Sequence, residues 1–167
     1  GKYRGMERAM KSGFGTYAVQ AGHLKVGALV AVNALGDVYD GAVQIAGLRN
    51  AEGTGLSNTL EEMFQDVTIA GNLFTGNTTL GMIVTNAKLN KTQLTKVAGM
   101  THNGYARAIR PVHTNADGDS IYALSTGGQA GDVNVVGSMA AWAMERAIVR
   151  AVRAARSAYD LPGCGAL

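Results

Sequence analysis

The stretch from Gly76 to Ala87, Gly-Asn-Thr-Thr-Leu-Gly-Met-Ile-Val-Thr-Asn-Ala, constrains this chain more than any other. It reads as a turn, two threonines opening an apolar β-favouring run, then a second turn, which predicts a strand over 78–87. Further along, Asp117-Gly118-Asp119 stands just ahead of another apolar run that predicts a strand over about 120–124. A hydroxyl at one strand start and two carboxylates at another can meet at the same end of one sheet. Asp117 and Asp119 point to opposite sides if extended. Gly118 permits a turn that brings both to one place. The plain alternative is a solvent-facing Asp-Gly-Asp turn.

The flanking segments suggest the frame. Residues 24–35 form an apolar run with Val26, Leu29, Val30 and Val32, which predicts a strand buried on both faces. Asn33 near its end is either a turn residue ahead of Gly36-Asp37 or an amide aimed into a site. Residues 36–55 read as a long polar loop with an edge strand over 42–45. Ser57 or Asn58 caps a short helix to about Asp66, with Glu61 and Glu62 where the helix dipole favours them. Residues 67–77 read as a mobile lead-in to Thr78.

Asn90 caps a helix on which Leu94, Val97, Ala98, Thr101, Tyr105, Ala108 and Ile109 recur on one face, and Pro111 stops it. Gly127-Gly128 predicts a turn, and Asp132 or Asn134 opens a long helix to about Tyr159. On it, Arg146, Arg150 and Arg153 read as a solvated stripe, and Met139, Trp142, Ala143 and Met144 as packing. Residues 6–10 suggest a helical turn. Gly13-Phe14-Gly15-Thr16-Tyr17-Ala18 matches a loose dinucleotide pattern. Strand-like residues follow where a helix is needed, so it reads as a glycine-softened strand entry.

Composition narrows the function classes. A chain of 167 residues that is 47% hydrophobic supports one α/β domain over 1–167 with a real core. Only 16% of residues are charged and 23 are glycine, which suits a compact, turn-rich structure. A net charge of +3 is too small for a nucleic-acid partner. No apolar run approaches the roughly 18–20 residues that span a bilayer. The single Cys164 forms no internal disulfide, which fits a cytoplasmic setting. The first residues lack an apolar signal core and an initiator methionine, which suggests a processed or truncated chain. No metal or other cofactor is implied: His23, His102 and His113 lack metal spacing, and Asp-Gly-Asp lacks the glutamate that completes a calcium loop. No nucleophile elbow supports a Ser-His-Asp triad, and His113 reads as structural.

The hydroxyl of Thr78 is a poor nucleophile until a base takes its proton. If the peptide bond before Thr78 is cut, the same residue gains an α-amine titrating at about 7.7–8.0. Attacking group and base then share one rigid residue.

Asn77-Thr78-Thr79, Ile83-Val84-Thr85-Asn86-Ala87, Ala106-Arg107-Ala108-Ile109, Pro111-Val112-His113-Thr114 and Asp117-Gly118-Asp119, taken in order, resemble the L-aminopeptidase/D-esterase (DmpA-type) hydrolases. The branch that matches best holds the nylon-oligomer hydrolases, which act on 6-aminohexanoate oligomers. The resemblance implies a layered α/β/β/α-type sandwich of which this chain is the C-terminal part. It implies self-cleavage between Asn77 and Thr78, into segments 1–77 and 78–167, with Thr78 as nucleophile. Asp117 and Asp119 match the acidic pair of the nylon-oligomer branch; aminopeptidase relatives place Ser and Glu there, with Ser as the nucleophile. Asn33 matches the asparagine that supports the oxyanion, and Lys2 the active-site lysine. A further family tyrosine belongs upstream of Gly1. The resemblance also implies a small oligoamide or peptide substrate and a tetramer of cleaved protomers. Rival expectations are a β-peptidyl or L-aminopeptidase, a related acyl transferase, and a non-catalytic fragment.

Overall fold

The structure, a computed structural model, describes residues 1–67 and 76–166. A four-stranded sheet is built from β1 (Phe14–Ala21), β2 (Leu24–Ala31), β5 (Leu80–Ala87) and β7 (Ser120–Gln129), in the order β1-β2-β5-β7. The first three are antiparallel neighbours, and β5 runs parallel to β7 with Leu80 opposite Ser120. A smaller sheet, in the order β4-β3-β6, joins β3 (Asp37–Asp40), β4 (Val43–Ala46) and β6 (Ile109–Arg110). The α-helices among the described residues are α1 (Thr59–Gln65), α2 (Lys91–Ala108) and α3 (Val133–Arg153).

Each helix begins where a side chain satisfies its first free amides. Asn58 accepts from Leu60 and Glu61 at α1, and Asp132 from Asn134 and Val135 at α3. Asn90 and Gln93 bond reciprocally in a capping box at α2. Helix α2 ends at Ala108 because Ile109-Arg110 extend to pair with β3, ahead of the Pro111 expected to stop it. Helix α3 ends at Arg153, short of the expected Tyr159, and the chain reverses further on, where Tyr159 and Asp160 take positive φ values of 56° and 61°.

Helices α2 and α3 pack side by side on one face of the large sheet. Val26, Val30 and Ile83 meet Val97, Tyr105, Ala140, Met144, Ala147 and Ile148 there, all buried. Gly15 of β1 makes this seat possible, since a β-carbon on it would lie 2.2 Å from the Ala147 carbonyl. The glycine of the weak dinucleotide pattern therefore serves helix-on-strand packing.

The opposite sheet face is open and carries Phe14 (61% exposed), Leu80, Met82, Tyr122 (65% exposed) and Leu124. Strand β2 accordingly alternates, with Leu24, Val26, Ala28 and Val30 buried and Lys25 and Ala31 exposed. This corrects the expectation of burial on both faces, because helices cover only one.

Other expectations change as well. Residues 36–55, read as mostly loop, supply both β3 and β4. The buried Asp37 organises them by accepting from Leu48 N–H at 2.8 Å and from the Thr59 N–H and hydroxyl at 2.7 Å each. Strand β7 continues through the Gly127-Gly128 pair expected to turn. The arginine stripe is engaged: Arg146 and Arg153 both reach Asp40, at 3.1 and 2.7 Å, and Arg150 lies over the Tyr17 ring. The expected helical turn is a 3-10 turn over Met6–Arg8. The expected mobile lead-in falls largely on residues 68–75, outside the described residues. Among the described residues, no helix is long and apolar enough to cross a membrane.

Candidate active site

The parallel pairing of β5 with β7 begins before either strand is formally entered. Asn77 bridges Asp117, the Gly118 N–H donates to the Asn77 carbonyl at 2.8 Å, and Ser120 N–H donates to the Thr79 carbonyl at 3.1 Å. The Asn-Thr-Thr and Asp-Gly-Asp segments thus run side by side as the mouth of one ladder. Tyr105 reaches up from α2, and its hydroxyl lies 3.2 Å from the Thr79 carbonyl and 3.4 Å from that of Ser120. It ties both strand mouths to the helix layer. Burial, together with the charge of Asp119, pushes its phenol pKa upward.

Thr78 sits between two gripping segments. Its N–H donates to the Asn33 carbonyl at 2.9 Å, and its hydroxyl donates to the Asn77 carbonyl at 2.7 Å. The Asn33 side chain donates from Nδ2 to the Gly76 carbonyl at 2.9 Å, and its Oδ1 accepts from the Lys2 ammonium. An ammonium only donates, so Lys2 sorts the amide and turns its N–H₂ toward Gly76. Burial lowers the Lys2 pKa, with Asp117 opposing the shift. Beside Lys2 and Asn33 opens a cleft of about 380 Å³ with apolar walls that include Met6, Met10 and Val32.

The two carboxylates act on different neighbours. Asp117 accepts from the Thr114 N–H and hydroxyl, at 3.1 and 2.7 Å, and from Leu35 N–H at 3.4 Å. Asp119 accepts from Thr79 N–H at 2.9 Å, and its other oxygen lies 3.0 Å from Nδ1 of His113. Its side chain is 4% exposed. His113 packs against His102 and stacks on Tyr105. Burial first, and then the neighbouring His113, lower the His102 pKa, while Asp119 opposes the shift.

Lys2, Asn33, Asn77, Thr78, Asp117 and Asp119 therefore lie together at one end of the large sheet. Neither carboxylate bonds the Thr78 hydroxyl, which donates instead to the Asn77 carbonyl. Three groups at the site escaped the sequence reading. Tyr105 looked like one more apolar-face residue, since helical spacing does not reveal where a hydroxyl ends. His113 looked structural, and its position after cis Arg110-Pro111 beside Asp119 is a tertiary fact. The Gly118 amide had no side chain to betray it.

A sequence profile described as Peptidase family S58 matches residues 4–163. A Mycobacterium tuberculosis protein described as an uncharacterized aminopeptidase is 36% identical over 177 residues, covering 92% of this chain and 51% of its own. A 6-aminohexanoate-oligomer endohydrolase of a Kocuria species is 30% identical over 128 residues, covering 72% of this chain and 35% of its own. The solved L-aminopeptidase D-Ala-esterase/amidase of Ochrobactrum anthropi, described as a new variant among the Ntn hydrolase fold, superposes with a TM-score of 0.59. That match covers 87% of this chain and 41% of the neighbour at 20% identity, a likeness of fold. The chain spans about half the length of the curated aminopeptidase relatives it matches.

Proposed function

The chain belongs to peptidase family S58, and from that premise we propose that it is the reacting part of a self-processing amide hydrolase. Scission between Asn77 and Thr78 frees the Thr78 α-amine, and Thr78 becomes both nucleophile and base. The observation that carries the reading is the grip on this one peptide bond: Asn33 holds Thr78 N–H from one side and Gly118 holds the Asn77 carbonyl from the other, at 2.9 and 2.8 Å.

In turnover, the Thr78 hydroxyl attacks a substrate amide carbonyl while its proton passes to the α-amine. Collapse expels the substrate amine and leaves an acyl-threonine, which water hydrolyses to the acid. The Asn33 amide, released when Gly76 and Asn77 withdraw, supports the oxyanion, and Lys2 keeps that amide oriented. Asp119 and Asp117 hold the Thr79 backbone and the loop around Gly118, and the acidic pair supplies the negative charge that stabilises the Thr78 ammonium.

The apolar cleft beside Lys2 and Asn33 suits the methylene chain of a 6-aminohexanoate oligomer or the side chains of a short peptide. An aminopeptidase or acyl transferase uses the same acyl-threonine, and release of free acid against transfer to an added amine separates them. The expected assembly is a tetramer of cleaved protomers in the cytoplasm.

The test is intact mass and N-terminal sequencing of the purified protein, beside Thr78→Ala. A new terminus at Thr78, with scission and amidase activity both lost in Thr78→Ala, supports the reading. Scission or turnover that survives the substitution overturns it.

A further inference from the structure

We propose that self-scission and substrate turnover use different oxyanion donors, and that the donor for scission is the backbone N–H of Gly118. The inference rests on the self-processing reading and assigns a residue within it.

In the uncut chain the Asn33 amide is committed to the Gly76 carbonyl, one residue away from the bond to be cut. The Asn77 carbonyl accepts instead from Gly118 N–H at 2.8 Å and from the Thr78 hydroxyl at 2.7 Å. For scission, Thr78 Oγ1 turns from the oxygen of that carbonyl to its carbon. Its own hydrogen bond to the oxygen is then lost, and the Gly118 N–H stays in place. The new Oγ1–C bond forms as the carbonyl π electrons move onto oxygen, giving the oxyanion that Gly118 faces. The hydroxyl proton passes to Thr78 nitrogen, the C–N bond breaks, and the amine leaves with that electron pair. Water then hydrolyses the resulting ester, producing the Asn77 carboxyl group and restoring the hydroxyl.

The loop is built to hold this amide still. Asp117 is tied to Thr114 and Leu35, and Asp119 to Thr79 N–H, so the residue between them is pinned on both sides. Backbone donors fixed in this way need no reorganisation as charge develops. A side chain at position 118 would also crowd the attacking group. A β-carbon at position 118 would stand 2.8 Å from Thr78 Oγ1, in the space the hydroxyl crosses.

The experiment replaces the Asp117–Gly118 amide by an ester, exchanging the N–H for oxygen, in the full chain made by ligation. Scission at Asn77–Thr78 is followed by mass spectrometry beside the parent. The ester chain is expected to cut about 10²-fold or more slowly, the cost typical of losing one oxyanion donor. Gly118→Ala keeps the N–H yet also slows scission, by obstructing Oγ1. If the parent cuts and the ester chain cuts at the same rate, the role of Gly118 is overturned while self-processing stands. If the parent does not cut at all, the self-processing reading falls and takes this inference with it. Should the ester impair folding, amide exchange in uncut Thr78→Ala decides. Strong protection of Gly118 N–H supports the assignment, and exchange at the rate of an open loop overturns it.

Discussion

Asn33 holds the chain on both sides of Asn77: its carbonyl accepts Thr78 N–H at 2.9 Å, and its side-chain amide donates to the Gly76 carbonyl at 2.9 Å. The first contact is made by backbone and survives substitution, whereas the second depends on the side chain. Asn33→Ala is therefore expected to lower kcat on an amide substrate by about 10²–10³, the usual loss for a missing oxyanion donor. Self-scission, whose carbonyl is held by Gly118, should slow by a smaller factor. Comparing the cutting rate with kcat of the cut fraction checks this, and equal losses would contradict it.

Tyr105 joins the helix layer to both strand mouths through one hydroxyl near two carbonyl oxygens. Tyr105→Phe keeps the ring packing and removes the donor. The expected cost is about 1–2 kcal/mol of stability, from one lost buried bond and acceptors left short of a partner. Scission should also slow, because Thr79 adjoins the reacting residue. Urea unfolding and the cutting time course measure the two effects, and no change in either would remove Tyr105 as a positioning residue.

Glu62 anchors α1 to the first residues of the chain. Burial alone would raise its pKa. The Ser57 hydroxyl and the Arg4 and Arg8 guanidiniums outweigh burial and hold it near 2, below the ordinary value of 4.5. A depressed carboxylate stabilises the folded state above its unfolded pKa, and that contribution is lost as pH falls from about 4.5 to about 2. Because Arg4 and Arg8 remain 31% and 21% exposed, water screens part of the effect. Glu62→Gln is expected to lose about 1–2 kcal/mol at pH 7. Its stability should then decline less steeply between pH 5 and 2. Parallel unfolding curves across that range test the sign.

Periodicity and capping chemistry carried much of the fold. Asn90 announced α2, and Asp132 or Asn134 announced α3, where Asp132 is the cap, because a cap is a local hydrogen-bonding fact written within four residues. The apolar run after Thr78 announced β5 in the same way. Burial was less legible. The run over residues 24–35 suggests burial on both faces, and only the position of α2 and α3, on one side of the sheet, shows that a single face is covered. Asp40 shows the same limit, since its two arginine partners are more than one hundred residues away in sequence.

By itself the sequence determined which groups stand at the strand starts: a threonine after asparagine at one, and two aspartates around a glycine at the other. Local rules of turn and strand sufficed for that, because they act over a few residues. The tertiary structure decided what those groups touch. Parallel register set Gly118 N–H against the Asn77 carbonyl, and Lys2 turned the Asn33 amide toward Gly76. Hydrogen bonding is short-ranged and directional, so a partner 40 residues away becomes a contact only when packing fixes both backbones.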